Sequence, residues 1–150
     1  DLKNYDLRAD LMFCSTMALN GLLRSGVSQD WATHNIGHQL AAFYDITHGA
    51  SLAVLTPRWM NEVKGQKTKK MAQYSKRIWG VKGTDKEMIM EGIAKTFEFF
   101  DELGIDMYLK DYNIDDEHFD LITERLVKRG IGEIKLNKDQ IKNILVNSLK

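Results

Sequence analysis

Proline is nearly absent: Pro57 is the only one in 150 residues. With a single helix breaker and few alternating β-branched runs, little in the chain stops helices and little builds strands. Cysteine is as scarce. Cys14 alone cannot form an intramolecular disulfide, which removes the secreted, cross-linked class of small folds. Its neighbours Met12, Phe13 and Met17 predict a buried, inert thiol. An excess of one charge is missing too, because 21 Lys and Arg balance 21 Asp and Glu. That leaves no electrostatic footprint for nucleic acid and no polybasic run for an anionic membrane. No uncharged apolar run is long enough to span a bilayer, and no signal-peptide layout opens the chain. A cytoplasmic setting is the resulting expectation, with neither nucleic acid nor membrane as a partner. A glycine-rich strand-to-helix turn is also lacking, so a dinucleotide site within these residues is not expected. The first residue is Asp1 rather than methionine, and the chain is expected to be cut from something longer.

What is present reads as one all-α domain, a pack of six or seven helices with a real core. Leu7, Leu11, Ala18 and Leu22 recur at helical spacing, and a first helix is expected from Tyr5 to Arg24, stopped by Gly26. Ser28 is a plausible N-cap for a second helix from Gln29 to about Tyr44. His48 and Gly49 then read as a break, and a third helix should run from Ala50 to Lys64, kinked or restarted near Leu55 by Pro57. Lys67 to Trp79 is amphipathic and lysine-rich. Thr84 with Glu87, and Asn137 with Gln140, are capping boxes for helices ending near Leu103 and Leu149. Asp115 is expected to cap a helix that reaches Lys128 and ends at Gly130.

One segment departs from the average composition. Between Trp31 and Leu55 the only charged residue is Asp45, where about seven would be expected at the chain-wide 28%. Three of the four histidines lie there: His34, His38 and His48. Low charge implies burial, and buried imidazoles need partners. His34 and His38 are four residues apart on one helix, so their rings share a face one turn apart. His48 follows the helix end, where a loop could return it to the same point. The HNIGH spacing superficially matches the helical zinc-protease motif, but Asn35 stands where that motif needs its Glu base. Residue types and spacing leave two readings open: a metal site, or hydrogen-bonded structural histidines.

Other residues carry weaker expectations. Gly37 is read as allowing close approach of a neighbouring helix, ahead of approach by a substrate. Asp45 is read as a turn residue ahead of a partner for a ligand histidine. Trp31, Phe43 and Tyr44 suit either a hydrophobic substrate pocket or the core. His118 reads as a solvated helix residue, and the lysines from Lys64 to Lys76 as an exposed face.

The longer string GVSQDWATHNIGHQLAAFYDITHGASLAVLTPRWMNEV, Gly26 to Val63, resembles the signature region of iron-containing alcohol dehydrogenases, in the NAD(P)H-dependent butanol dehydrogenase branch. YDLRADLMFCSTMALNGLL, FFDELGI and NIDDEHFDLITERLV extend the resemblance over almost the whole chain. It implies the all-α, multi-helix C-terminal domain of that family, within the dehydroquinate synthase-like superfamily. It also implies that His34 and His48 bind the catalytic metal, Fe(II) or Zn(II), while His38 stands near nicotinamide and substrate and serves proton transfer. The family's other two ligands, an Asp and a His four residues on, come from an earlier helix, and no earlier helix here carries that pair. The N-terminal nucleotide-binding domain is likewise expected to be missing, leaving an incomplete metal site and an inactive chain. The intact enzyme would interconvert small primary alcohols and aldehydes with NAD(P)H, and a homodimer is compatible with the resemblance. The competing expectations are a stand-alone metal-binding or metal-sensing module that uses all three histidines, and a structural fragment without activity.

Overall fold

The computed structural model describes residues 3–150, so the expectation attached to Asp1 lies outside the described residues. Among them are seven α-helices, two short 3-10 turns and no strand, and no helix is long and apolar enough to cross a membrane. The chain divides into two compact units, Asp1–Asp30 and Trp31–Lys150.

The first unit holds α1, Tyr5–Leu19, followed by a 3-10 turn at Leu22–Arg24. The Asn4 side chain caps α1 by accepting the Leu7 amide at 3.1 Å. The helix ends five residues before the expected Arg24, because the Asn20 side chain accepts the Leu22 amide and Gly21 turns left-handed at φ 93°. No residue of α1 is buried. Leu7, Leu11, Met12, Phe13 and Leu19 are 55–71% exposed, and Cys14 is exposed with them. The expected buried thiol is therefore overturned. Apolar neighbours in sequence bury a side chain only if another surface lies over them.

The second unit contains α2 (Ala32–Tyr44), α3 (His48–Val63), α4 (Thr68–Trp79), α5 (Asp85–Glu102), a 3-10 turn (Leu109–Tyr112), α6 (Phe119–Arg129) and α7 (Lys138–Leu149). Its centre is α3, which packs on α2, α5 and α7, while α4 lies on α5 and α6 on α7. Leu40, Leu55, Ile122, Leu126 and Leu145 are essentially sealed from solvent, and full burial of such a side chain stabilises the fold by about 1.5–3 kcal/mol. Both capping boxes form, Thr84 with Glu87 and Asn137 with Gln140.

Several local expectations are corrected. Ser28 does not cap α2, which begins at Ala32 with Trp31 in the cap position. The Asp115 carboxylate accepts the Glu117 amide in a tight turn, and α6 starts later, at Phe119 after His118. His118 is half-buried rather than solvated, its ring 4.7 Å from that of Phe43 and 5.5 Å from Tyr44. Pro57 neither breaks nor restarts α3, which runs through it. The missing proline N–H and the ring's clash cost a helix about 3 kcal/mol in isolation, and here they are outweighed by α3's position at the middle of the core. Side chains also occupy carbonyls in the preceding turn: Thr56 Oγ1 donates to Leu52 O and Arg58 Nη1 to Val54 O.

Candidate metal centre

The three histidines of the charge-poor segment meet across the α2–α3 corner. Helix α2 ends at Asp45, whose left-handed backbone (φ 56°) lets its amide donate to Ala41 O. Asp45 is thus the turn residue, with its side chain exposed. Two residues later Thr47 is extended and α3 begins on His48 itself. His48 is therefore a first-turn helical residue and not the loop residue expected. The short connector folds α3 back on α2, so residues near the start of α3 lie beside the His34–His38 stretch.

The ring centres of His34 and His48 are 5.3 Å apart with planes tilted by 57°. Those of His38 and His48 are 5.2 Å apart and stacked at 27°. His34 and His38 are 6.4 Å apart. An imidazole nitrogen lies about 2.0–2.1 Å from a bound zinc, which puts the centres of two rings on one ion about 5 Å apart at a tetrahedral angle and a little over 6 Å apart only when the two bonds are collinear. The 5.3 Å between His34 and His48 matches the tetrahedral spacing, whereas the 6.4 Å between His34 and His38 would need nearly collinear bonds. An ion must also lie near the plane of every ring it bonds. The tilted planes of His34 and His48 can share such a point, whereas stacked, nearly parallel planes do not meet between the rings. Among the described residues, no group of three or more His, Cys, Asp or Glu is arranged to hold an ion. The His34–His48 geometry is that of two imidazoles able to share one ion, a donor type that Fe(II) and Zn(II) both accept.

Electrostatics favours the ligand form. The His34 pKa is lowered, first by burial and then by the neighbouring His48 and His38, so its ring stays neutral and keeps a lone pair to donate at neutral pH. His34 is half-buried, while His38 and His48 are exposed. The low-charge segment is therefore not uniformly interior: Ile36, Leu40, Val54 and Leu55 enter the core, and the two outer histidines face out. Trp31 stands edge-on to His34 at 4.7 Å. Asn35 donates to Trp31 O at 2.7 Å, so the position that a protease would give to a general base is tied to the backbone. Phe43 and Tyr44 sit at the far end of α2 and pack on the core. Of the three pocket candidates, only Trp31 adjoins the histidines.

A family profile described as the C-terminal part of the Fe-containing alcohol dehydrogenases matches residues 1–149. The chain belongs to that family. Within it, this chain is 40% identical over 138 residues to the NADPH-dependent aldehyde reductase YqhD of Escherichia coli, covering 91% of this chain and 36% of that one. It is 42% identical over 154 residues to the probable NADH-dependent butanol dehydrogenase 1 of Bacillus subtilis, covering 99% and 40%. Among solved structures, the NADH-dependent butanol dehydrogenase A of Thermotoga maritima superposes with a TM-score of 0.90 at 34% identity, over 98% of this chain and 40% of that one. The chain thus spans well under half the length of these alcohol dehydrogenase relatives, and its all-helical fold is the one they share over that span. One residue at the corner carries no signal in sequence. Ser51, fully buried on α3, shows its role only once α2 is seen lying against it at Gly37.

Proposed function

We propose that this chain is the metal-carrying helical part of an NAD(P)-linked alcohol dehydrogenase that interconverts primary alcohols and aldehydes of butanol type. Further polypeptide then supplies the nucleotide-binding half and the remaining metal ligands. The observation that carries the reading is the approach of His34 and His48, at 5.3 Å and 57°, on an open face of a family member. His34 and His48 hold the ion, Fe(II) or Zn(II). When bound, the ion supplies Lewis acidity to the substrate oxygen, and hydride transfer belongs to the nicotinamide. His38 is exposed and stacked on His48, so it is free to exchange a proton with the substrate hydroxyl and with water. Trp31, edge-on to His34, walls one side with apolar surface. The lone exposed thiol of Cys14 fits a reducing, cytoplasmic setting. The apolar residues that α1 leaves exposed suit coverage by the rest of the enzyme or by a second copy in a homodimer.

The test is metal content and turnover in the complete enzyme. His34→Ala and His48→Ala should each lose the metal and nearly all activity. His38→Ala should keep the metal and lose about 10²–10⁴-fold in kcat, the usual contribution of a positioned acid–base group. The 150-residue chain alone should oxidise no alcohol with either cofactor. The second reading, a metal-binding module that uses all three histidines, requires His38→Ala to lose metal as completely as His34→Ala. The 6.4 Å between His34 and His38 weighs against it.

A further inference from the structure

The corner that presents the histidines is held at a single close approach. Gly37 is buried on α2 between His34 and His38. Ser51 is fully buried on α3, one turn after His48. A Cβ added at Gly37 would fall 2.8 Å from Ser51 Oγ, yet 3.6 Å from Ser51 Cβ and 3.7 Å from Leu52 Cδ2. Only the hydroxyl oxygen is too near. That oxygen is engaged, because the Ser51 hydroxyl donates to the His48 carbonyl at 2.8 Å. Any side chain at position 37 must therefore either push α3 off α2 or turn the hydroxyl away from His48. The first moves His48 relative to His34, and the second removes the bond by which Ser51 holds the His48 carbonyl.

We propose that Gly37 and Ser51 are positioning residues that together form the spacer of the metal centre. Gly37 sets how near α3 lies to α2, and Ser51 fills the gap while holding the first turn that carries His48. The inference rests on His34 and His48 being the ligands. It goes further in naming a glycine and a serine, neither of which touches the ion, as what fixes their separation.

The experiment uses the complete enzyme loaded with Co(II), whose visible spectrum reports ligand geometry and whose retention is measured by dialysis. Gly37→Ala should change the spectrum and weaken Co(II) binding about tenfold, the low end of the usual effect of disturbing what supports a metal ligand, while Ser51→Ala should weaken it less. The double variant G37A/S51A should return to the level of Ser51→Ala alone, because removing the hydroxyl leaves the new Cβ in ordinary contact. A merely packing role would leave the spectrum unchanged and show no such rescue. Parental affinity and spectrum in Gly37→Ala would overturn the spacer, as would a double variant no better than Gly37→Ala. If Gly37→Ala does not fold, a double variant that folds and binds like Ser51→Ala supports the proposal, and one that fails to fold overturns it. His34→Ala separates the two levels. Cobalt retained in His34→Ala overturns the metal reading and the spacer with it, whereas cobalt lost there but unaffected in Gly37→Ala overturns the spacer alone.

Discussion

Two helix crossings in this molecule are built from the same pair of residues and behave differently. At the α4–α5 crossing a Cβ on Gly92 would lie 2.0 Å from Ser75 Oγ, 2.7 Å from its Cβ and 3.2 Å from its backbone Cα. At the α2–α3 crossing the corresponding Cβ on Gly37 meets only the hydroxyl oxygen of Ser51 at short range. The serines also bond differently. Ser75 donates to Met71 O, one turn back in its own helix, whereas Ser51 donates to the carbonyl of His48. The first crossing is a backbone stop that no rotamer can relieve. The second is limited by one rotatable atom, and that atom is tied to the proposed metal centre. Equal residue types therefore protect different things, the fold in one case and the site in the other.

The largest expected effect breaks the first crossing. Gly92→Ala should destabilise the chain by about 2–3 kcal/mol, the upper part of the range for overpacking a core, as measured by urea unfolding. Adding Ser75→Ala should recover only part of that loss, since the backbone and first side-chain carbon of position 75 stay equally near. Full recovery would make the two crossings alike. Next, Thr84→Ala removes the capping box of α5 without touching the crossing, and should cost about 1 kcal/mol. If it costs as much as Gly92→Ala, the backbone stop is not what holds α5. Gly37→Ala should lower the stability of the chain by under about 1 kcal/mol, at or below the low end of overpacking, because the hydroxyl can turn aside. An unfolding midpoint depressed as far as that of Gly92→Ala would remove the contrast. The smallest effect belongs where there is no crossing. Leu11→Gln on α1 should change stability by no more than about 0.5 kcal/mol, as at other exposed positions, since Leu11 is 69% exposed. A larger loss would mean that α1 is stabilised by something other than burial.

The same contrast between local and distant causes explains what can be read from sequence. Thr84 with Glu87 and Asn137 with Gln140 are legible because their bonds close within three residues. The class of fold follows from one proline and regular apolar spacing. His34 and His38 share a face because a helix puts them there, and no tertiary knowledge is required. The sequence misplaces His48 in a loop, because Gly49 looks like a break. The turn is in fact made earlier, by the left-handed Asp45 and the extended Thr47, and nothing in residue type announces it. Cys14 and His118 mislead in opposite directions for one reason: exposure depends on what lies over a residue, which its neighbours in sequence do not report. Pro57 misleads because a breaker's penalty is local while the packing that overrides it is not. Ser51 is invisible in sequence, its importance residing wholly in its distance from Gly37.

The three-residue link between Tyr44 and His48 also has a meaning in time. Closing so short a connection costs little chain entropy, and contacts of low sequence separation are the ones that form fastest. The α2–α3 corner is therefore expected among the early events of folding, whereas seating α7 on α3 must wait for the whole intervening chain to be drawn in. The histidines would then face one another before most of the core exists, so that the proposed ligand pair would be assembled early in the life of the chain.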